Sequence, residues 1–139
     1  MINAEPAGPS QVMAIAADDD VVRVRQLVRS VAVATKLSLV DQTKLVTAAS
    51  ELARNTLIHG GGGEVEIAPV TNGFRRGIRL VFSDKGPGIA DVDRAFTDGY
   101  TTAGGLGLGL SGARRLMDEL DLTTAIGEGT TVVAVKWER

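Results

Sequence analysis

The chain has 139 residues, no cysteine, one histidine and a formal net charge of −2. That length suits one ordinary domain with a buried core, while the absence of cysteine excludes disulfides, thiolate catalysis and cysteine–zinc sites, and a single histidine excludes multi-histidine metal centres. A near-neutral charge and an aromatic content of 4% argue against nucleic-acid binding, and no apolar run approaches the roughly 18 residues of a membrane span.

Residues 1–10 read as a frayed lead-in with neither the positive region nor the apolar stretch of a secretory signal, leaving residues 11–139 as a single domain. An apolar run over 11–17 predicts an edge strand. Asp18, Asp19 and Asp20 then supply favourable charge for a helix start, and Val21, Val24, Leu27, Val28 and Val31 form a helical stripe ending near Lys36. A second helix is expected from about Asp41 to Ile58, with Leu45, Ala48, Ala49, Leu52 and Thr56 on its buried face and Gly60 just past its end. His59 is read as a helix-terminal or exposed residue.

The period then becomes two. Val65 and Ile67 mark a strand that Pro69 confines to an edge or an early stop. After a turn around Asn72-Gly73, Ile78, Leu80 and Phe82 mark the inward face of a more central strand. A short helix over 91–96, a helix over 108–120 with Ala113, Leu116, Met117 and Leu120 on one face, and two strands over 122–126 and 131–137 complete the chain. Trp137 shares a strand face with Val133 and Val135 and reads as core. The order β-α-α-β-β-α-α-β-β with tight final turns gives an α+β fold: a two-layer α/β sandwich with a mixed, mainly antiparallel sheet and helices on one face.

Seventeen glycines exceed the usual level of about 7%. They cluster at the ends of periodic segments, which points to turns and ligand-facing backbone. Glu51 and Asn55, four apart on the second helix, share one face: a carboxylate able to accept a proton and an amide oxygen suited to magnesium, or else a solvated helix face shared with Arg54. Asp84-Lys85-Gly86-Pro87-Gly88-Ile89 follows a strand directly. Its aspartate can take a hydrogen bond from an exocyclic amine, or simply close an Asx turn. Gly104-Gly105-Leu106-Gly107-Leu108-Gly109-Leu110 opens a helix without the Rossmann or P-loop spacing; it is either a phosphate cradle or a hinge. Gly127-Glu128-Gly129-Thr130-Thr131 joins the last strands, and Thr130 offers a hydroxyl there or merely completes a turn.

The order and spacing of these four boxes resemble the GHKL (Bergerat) ATP-binding superfamily of gyrase-type ATPases, heat-shock chaperones, histidine kinases and anti-sigma kinases. Within it, Ser50-Glu51-Leu52-Ala53-Arg54-Asn55, Asp98-Gly99-Tyr100-Thr101-Thr102, the 104–120 segment and the closing Ala134-Val135-Lys136-Trp137 are similar to the RsbT-type serine/threonine switch kinases of the stressosome. The resemblance implies a cytoplasmic enzyme that uses ATP and Mg2+ to phosphorylate a STAS-domain partner, and that also binds and activates a PP2C-type phosphatase. It implies Glu51 as the catalytic carboxylate and Asn55 as the metal ligand. Asp84, Gly86, Gly88, Ile89 and Thr130 fall around adenine; Gly104, Gly105, Leu106, Gly107, Leu108 and Gly109 fall around the phosphates, with residues 91–104 as a short lid. Lys85 departs from the asparagine common at its position, which leaves no extra metal contact expected there. Two further readings compete: an anti-sigma factor that sequesters a sigma factor, and a nucleotide-gated scaffold with little kinase activity.

Overall fold

The computed structural model describes residues 2–89 and 109–139. The expected short helix over 91–96, the lid over 91–104 and the loop residues Gly104, Gly105, Leu106, Gly107 and Leu108 lie outside the described residues. In chain order the elements are β1 (Glu5–Pro6), β2 (Gln11–Ile15), α1 (Asp18–Ala34), α2 (Leu39–Ile58), β3 (Gly63–Thr71), β4 (Arg76–Asp84), α3 (Gly109–Leu116), β5 (Glu119–Ala125) and β6 (Gly129–Trp137). The strands form one sheet in the order β1-β3-β4-β6-β5, with β2 also paired to β3. Every pairing among the described residues is antiparallel.

Both long helices begin where side-chain acceptors meet their first amides. The Asp20 carboxylate reaches back to the Ala16 and Ala17 amides at 2.8 and 3.1 Å and also holds Arg23 at 2.7 Å. The Ala16 amide bond, then the Arg23 bond, holds its carboxyl below the ordinary range. This support for α1 is therefore present above the usual aspartate range and is lost as pH falls through the depressed value. α2 starts two residues earlier than its apolar stripe suggested, because the Ser38 hydroxyl accepts the Asp41 N–H at 3.1 Å.

The stripes of the two helices face the sheet as expected. Val21, Val24, Val28 and Val31 of α1 and Leu45, Ala48, Ala49 and Leu52 of α2 are buried with Val65, Ile67, Ile78, Leu80, Phe82, Val132 and Ala134. Trp137 is buried, but on the opposite face of the sheet, with Val70 and Val135. Ile2 and Ala4 pack on that second cluster, and Glu5–Pro6 pairs with Val70 and Thr71 as β1, so the lead-in read as frayed carries a short strand. No described helix is long and apolar enough to cross a membrane.

Two further boundaries move for tertiary reasons. Pro69 does not stop β3, which runs on to Thr71. Its carbonyl accepts the Ala7 N–H at 2.9 Å on the outer side, so its ring nitrogen also faces outward, between the segments paired by β1 and β2. No ladder bond to β4 is lost. α3 ends at Leu116, and Leu120 belongs to β5 rather than to the helix face. Asp118 accounts for this: its amide bonds the Val135 carbonyl at 3.0 Å, and its carboxylate takes the Trp137 N–H at 2.7 Å and pairs with Arg139.

The alternation that turns Val132 and Ala134 toward the helices also turns Lys136 inward, where it is 2% exposed. Its ammonium sits 3.6 Å from Asp118 and 3.9 Å from Asp41, the latter on the first turn of α2. Lys136→Met leaves the Asp41 carboxylate buried without its counter-charge. We expect a loss of about 3–5 kcal/mol in urea unfolding, with Asp41→Asn added to it restoring part of that loss.

Candidate functional site

The site residues gather at one end of the sheet, where β4 finishes and β6 begins. Register places Gly63 of β3 opposite Asp84 of β4, Asp84 opposite Thr130 of β6, and Thr130 opposite Thr124 of β5. These four continue the helix-facing positions of their strands, after Phe82 on β4 and before Val132 on β6. The core therefore gives way to a row of polar groups.

Asp84 closes an Asx turn: Oδ1 accepts the Gly86 N–H at 2.9 Å. A carboxylate has about four acceptor positions, so the turn leaves most of its capacity for another donor. The turn and ligand readings of the motif are thus compatible. A β-carbon on Gly60 would lie 2.6 Å from Asp84 Oδ2, and one on Gly86 would lie 2.7 Å from the Gly60 α-carbon. Gly60 closes the end of α2, with its N–H 3.3 Å from the Asn55 carbonyl. The left-handed turn that follows is made by Gly61 and Gly62, at φ +72° and +105°, rather than by Gly60. Gly60 instead provides the close approach that brings the end of α2 against the strand-ending aspartate.

On α2 itself, Glu51 and Asn55 stand one turn apart, and Glu51 Oε1 is 3.2 Å from Arg54 Nη1. Asn55 Nδ2 is buried with no hydrogen-bond partner among the described residues. Buried amides are ordinarily satisfied, so this orphan donor is a place for an acceptor group of a ligand. His59 is the C-cap residue of α2, its N–H bonded to the Asn55 carbonyl at 2.9 Å.

The 84–89 loop is clasped to the β5–β6 turn. Gly127 N–H donates to the Pro87 carbonyl at 2.8 Å, and Ile89 N–H donates to Thr124 Oγ1 at 2.9 Å. Gly88 is at φ +79°, and a β-carbon there would sit 2.8 Å from the Ala125 carbonyl carbon. Gly86 and Gly88 therefore allow two pieces of protein backbone to meet, Gly60 and Ala125 respectively. Thr130 shares a 2.9 Å hydroxyl–hydroxyl bond with Thr124. The sequence reading missed Thr124; the strand alternation through Leu120 and Leu122 was the signal that aligned it with Thr130. Gly109 opens α3, which packs against α2 through Leu110 and Ala113.

The residues present fit a nucleotide with magnesium. Asp84 is an acceptor at a strand end, and the unfilled Asn55 Nδ2 is a donor open to an acceptor such as a phosphate oxygen. No cluster of three or more His, Cys, Asp or Glu able to hold a metal exists among the described residues.

Comparison with known proteins gives a consistent pattern. Residues 40–138 match the family described as histidine kinase-, DNA gyrase B-, and HSP90-like ATPase. The serine/threonine-protein kinase RsbT of Bacillus subtilis is 45% identical over 120 residues, covering 86% of this chain and 90% of that one. An anti-sigma F factor of Clostridium novyi is 35% identical over 118 residues, covering 76% and 81%. Among solved structures, the RsbU and RsbW domains of a Mycobacterium tuberculosis protein superpose with a TM-score of 0.67 at 21% identity, over 95% of this chain and 33% of that one. The mycobacterial sensor histidine kinase MprB superposes with a TM-score of 0.57 at 18% identity, over 94% and 99%. These two likenesses concern the fold.

Gly60→Ala drives a methyl group into the Asp84 side chain and the Gly86 backbone. We expect a loss of about 1–3 kcal/mol of stability, read from the shift of the urea midpoint.

Proposed function

This chain belongs to the histidine kinase-, DNA gyrase B-, and HSP90-like ATPase family, and from that premise we propose that it is a serine/threonine protein kinase of a partner-switching pathway. Its acceptor would be a serine or threonine on a STAS-domain protein, and a PP2C-type phosphatase would be its second partner, in the cytoplasm. The observation that carries the reading is the meeting of two motifs at Gly60: the helix bearing Glu51 and Asn55 ends against Asp84, the carboxylate that closes β4. The 45% identity to a serine/threonine kinase over most of both chains supports the same reaction class.

In this reading Asp84 accepts the exocyclic amine of adenine, and Gly86, Gly88, Ile89 and Thr130 shape the base end of the site. Gly104, Gly105, Leu106, Gly107, Leu108 and Gly109 present backbone amides to the phosphates, helped by the N-terminal field of α3. Asn55 would hold Mg2+ through its amide oxygen, and the ion would supply positive charge to the phosphate oxygens. Glu51 faces the acceptor hydroxyl and takes its proton, while Arg54 holds one of its oxygens. Phosphoryl transfer depends on placement and charge more than on covalent chemistry, so an orienting carboxylate and a cradle of amides are the parts the protein must provide.

A second reading is favoured by the anti-sigma F factors, at 30–35% identity. Here the chain would sequester a sigma factor and use ATP to change partners. The experiment that separates the two is label transfer from γ-labelled ATP with Mg2+ to candidate STAS-domain proteins. Transfer to a serine or threonine supports the kinase; intact ATP binding with no transfer, and a co-purifying sigma factor, supports the anti-sigma reading.

Two variants test the residue roles. Asp84→Asn removes a charge-assisted acceptor and should weaken ATP binding by about 10–150-fold in calorimetry, corresponding to roughly 1.5–3 kcal/mol; unchanged affinity removes Asp84 from the base site. Glu51→Ala should retain ATP binding and lose transfer by about 100- to 10,000-fold; an undiminished rate removes its catalytic role.

A further inference from the structure

The hydroxyl of Thr124 joins both sides of the clasp at the base end of the site. It accepts the Ile89 N–H at 2.9 Å, lies 3.1 Å from the Gly129 carbonyl oxygen, and lies 2.9 Å from the Thr130 hydroxyl. A hydroxyl has one proton and two acceptor lone pairs. A carbonyl only accepts, so the Thr124 proton goes to Gly129. Its two lone pairs then take the Ile89 N–H and the Thr130 O–H. Thr130 has thereby committed its only proton to Thr124, and toward anything else its oxygen is an acceptor. The cross-strand neighbour of Thr130 on β4 is Asp84, whose carboxylate also accepts.

We infer that Thr124 is a positioning residue for specificity: by taking the Thr130 proton, it makes Asp84 and Thr130 an all-acceptor wall that selects a 6-amino purine over a 6-oxo purine. The inference deepens the base-binding reading of Asp84 and rests on it. An exocyclic amine brings two N–H donors to such a wall. A 6-oxo group brings lone pairs against lone pairs, and even with its ring N1–H turned to one acceptor it leaves the other unpaired, which is costly where water is excluded. The half-buried Thr124 needs no contact with the nucleotide to do this. It acts through the hydroxyl of Thr130 and, by holding Ile89, through the loop that follows Asp84.

The test compares ATP with inosine triphosphate, which replaces the 6-amine with an oxo group, by calorimetry on the full chain with Mg2+. The wild-type chain should prefer ATP by about 10-fold or more. Thr124→Val keeps the β-branched shape and returns the Thr130 proton. Both affinities should fall together as the clasp loosens, but the preference for ATP should also drop, by about 5-fold, and Thr124→Ser should restore it. A folded Thr124→Val chain with the wild-type ATP preference, even if both affinities fall, overturns the inference and leaves Thr124 a structural pin. Equal binding of the two nucleotides by the wild-type chain overturns it without any variant. Failure of the wild-type chain to bind ATP at all overturns the underlying base-site reading, an outcome distinct from binding with no preference.

Discussion

Across one end of the sheet, Gly63, Asp84, Thr130 and Thr124 stand in register on four adjacent strands, with their positions on the helix-facing side. Side chains alternate faces along a strand, so a one-residue slip between β4 and β6 would turn either Asp84 or Thr130 to the opposite face. The same slip would carry Phe82 or Val132 out of the core. The apolar packing of Leu80, Phe82, Val132 and Ala134 thus maintains the alignment of the polar groups beyond it. Core and site are two stretches of the same strands.

Glycine lets the surrounding pieces reach that row. Gly60 lies against the Asp84 carboxylate, and Gly129 lies against the backbone of Asp84 and Lys85 with a φ of +93°. Side chains there would separate α2 and the β5–β6 turn from the end of β4. Glu51 and Asn55 are on a helix more than twenty residues before Asp84, and these close approaches bring the helix end and the strand end together. These contacts hold α2 and the sheet at a fixed separation.

The charged groups divide the molecule in a similar way. At the far end of β6, Lys136 is buried between Asp41 and Asp118, and Asp118 also ties down Arg139 and the Trp137 amide. This cluster links the start of α2 to β6, while Gly60 links the end of α2 to β4. The helix that carries Glu51 and Asn55 is therefore anchored at both ends, by ion pairs at one and by backbone contact at the other. Anchoring of this kind limits the motion of the side chains the helix carries without engaging them.

Legible in the residues alone were the two amphipathic helices, the alternating strands around Val65–Ile67 and Ile78–Phe82, the option of an Asx turn at Asp84, and the order of the four motifs. All of these depend on residues within a few positions of one another, where helical and strand periodicities operate. Long-range contacts decide that Pro69 lies within a strand, that α3 gives way to β5 at Asp118, that Lys136 is buried, and that Thr124 holds the Ile89 amide. In each case the deciding partner comes from a different segment: Ala7 for Pro69, Val135 and Trp137 for Asp118, Asp41 for Lys136, and Ile89 for Thr124. Local periodicity states which face a residue takes; it does not state which donor or acceptor will be waiting there, because that depends on how distant strands and helices come into register.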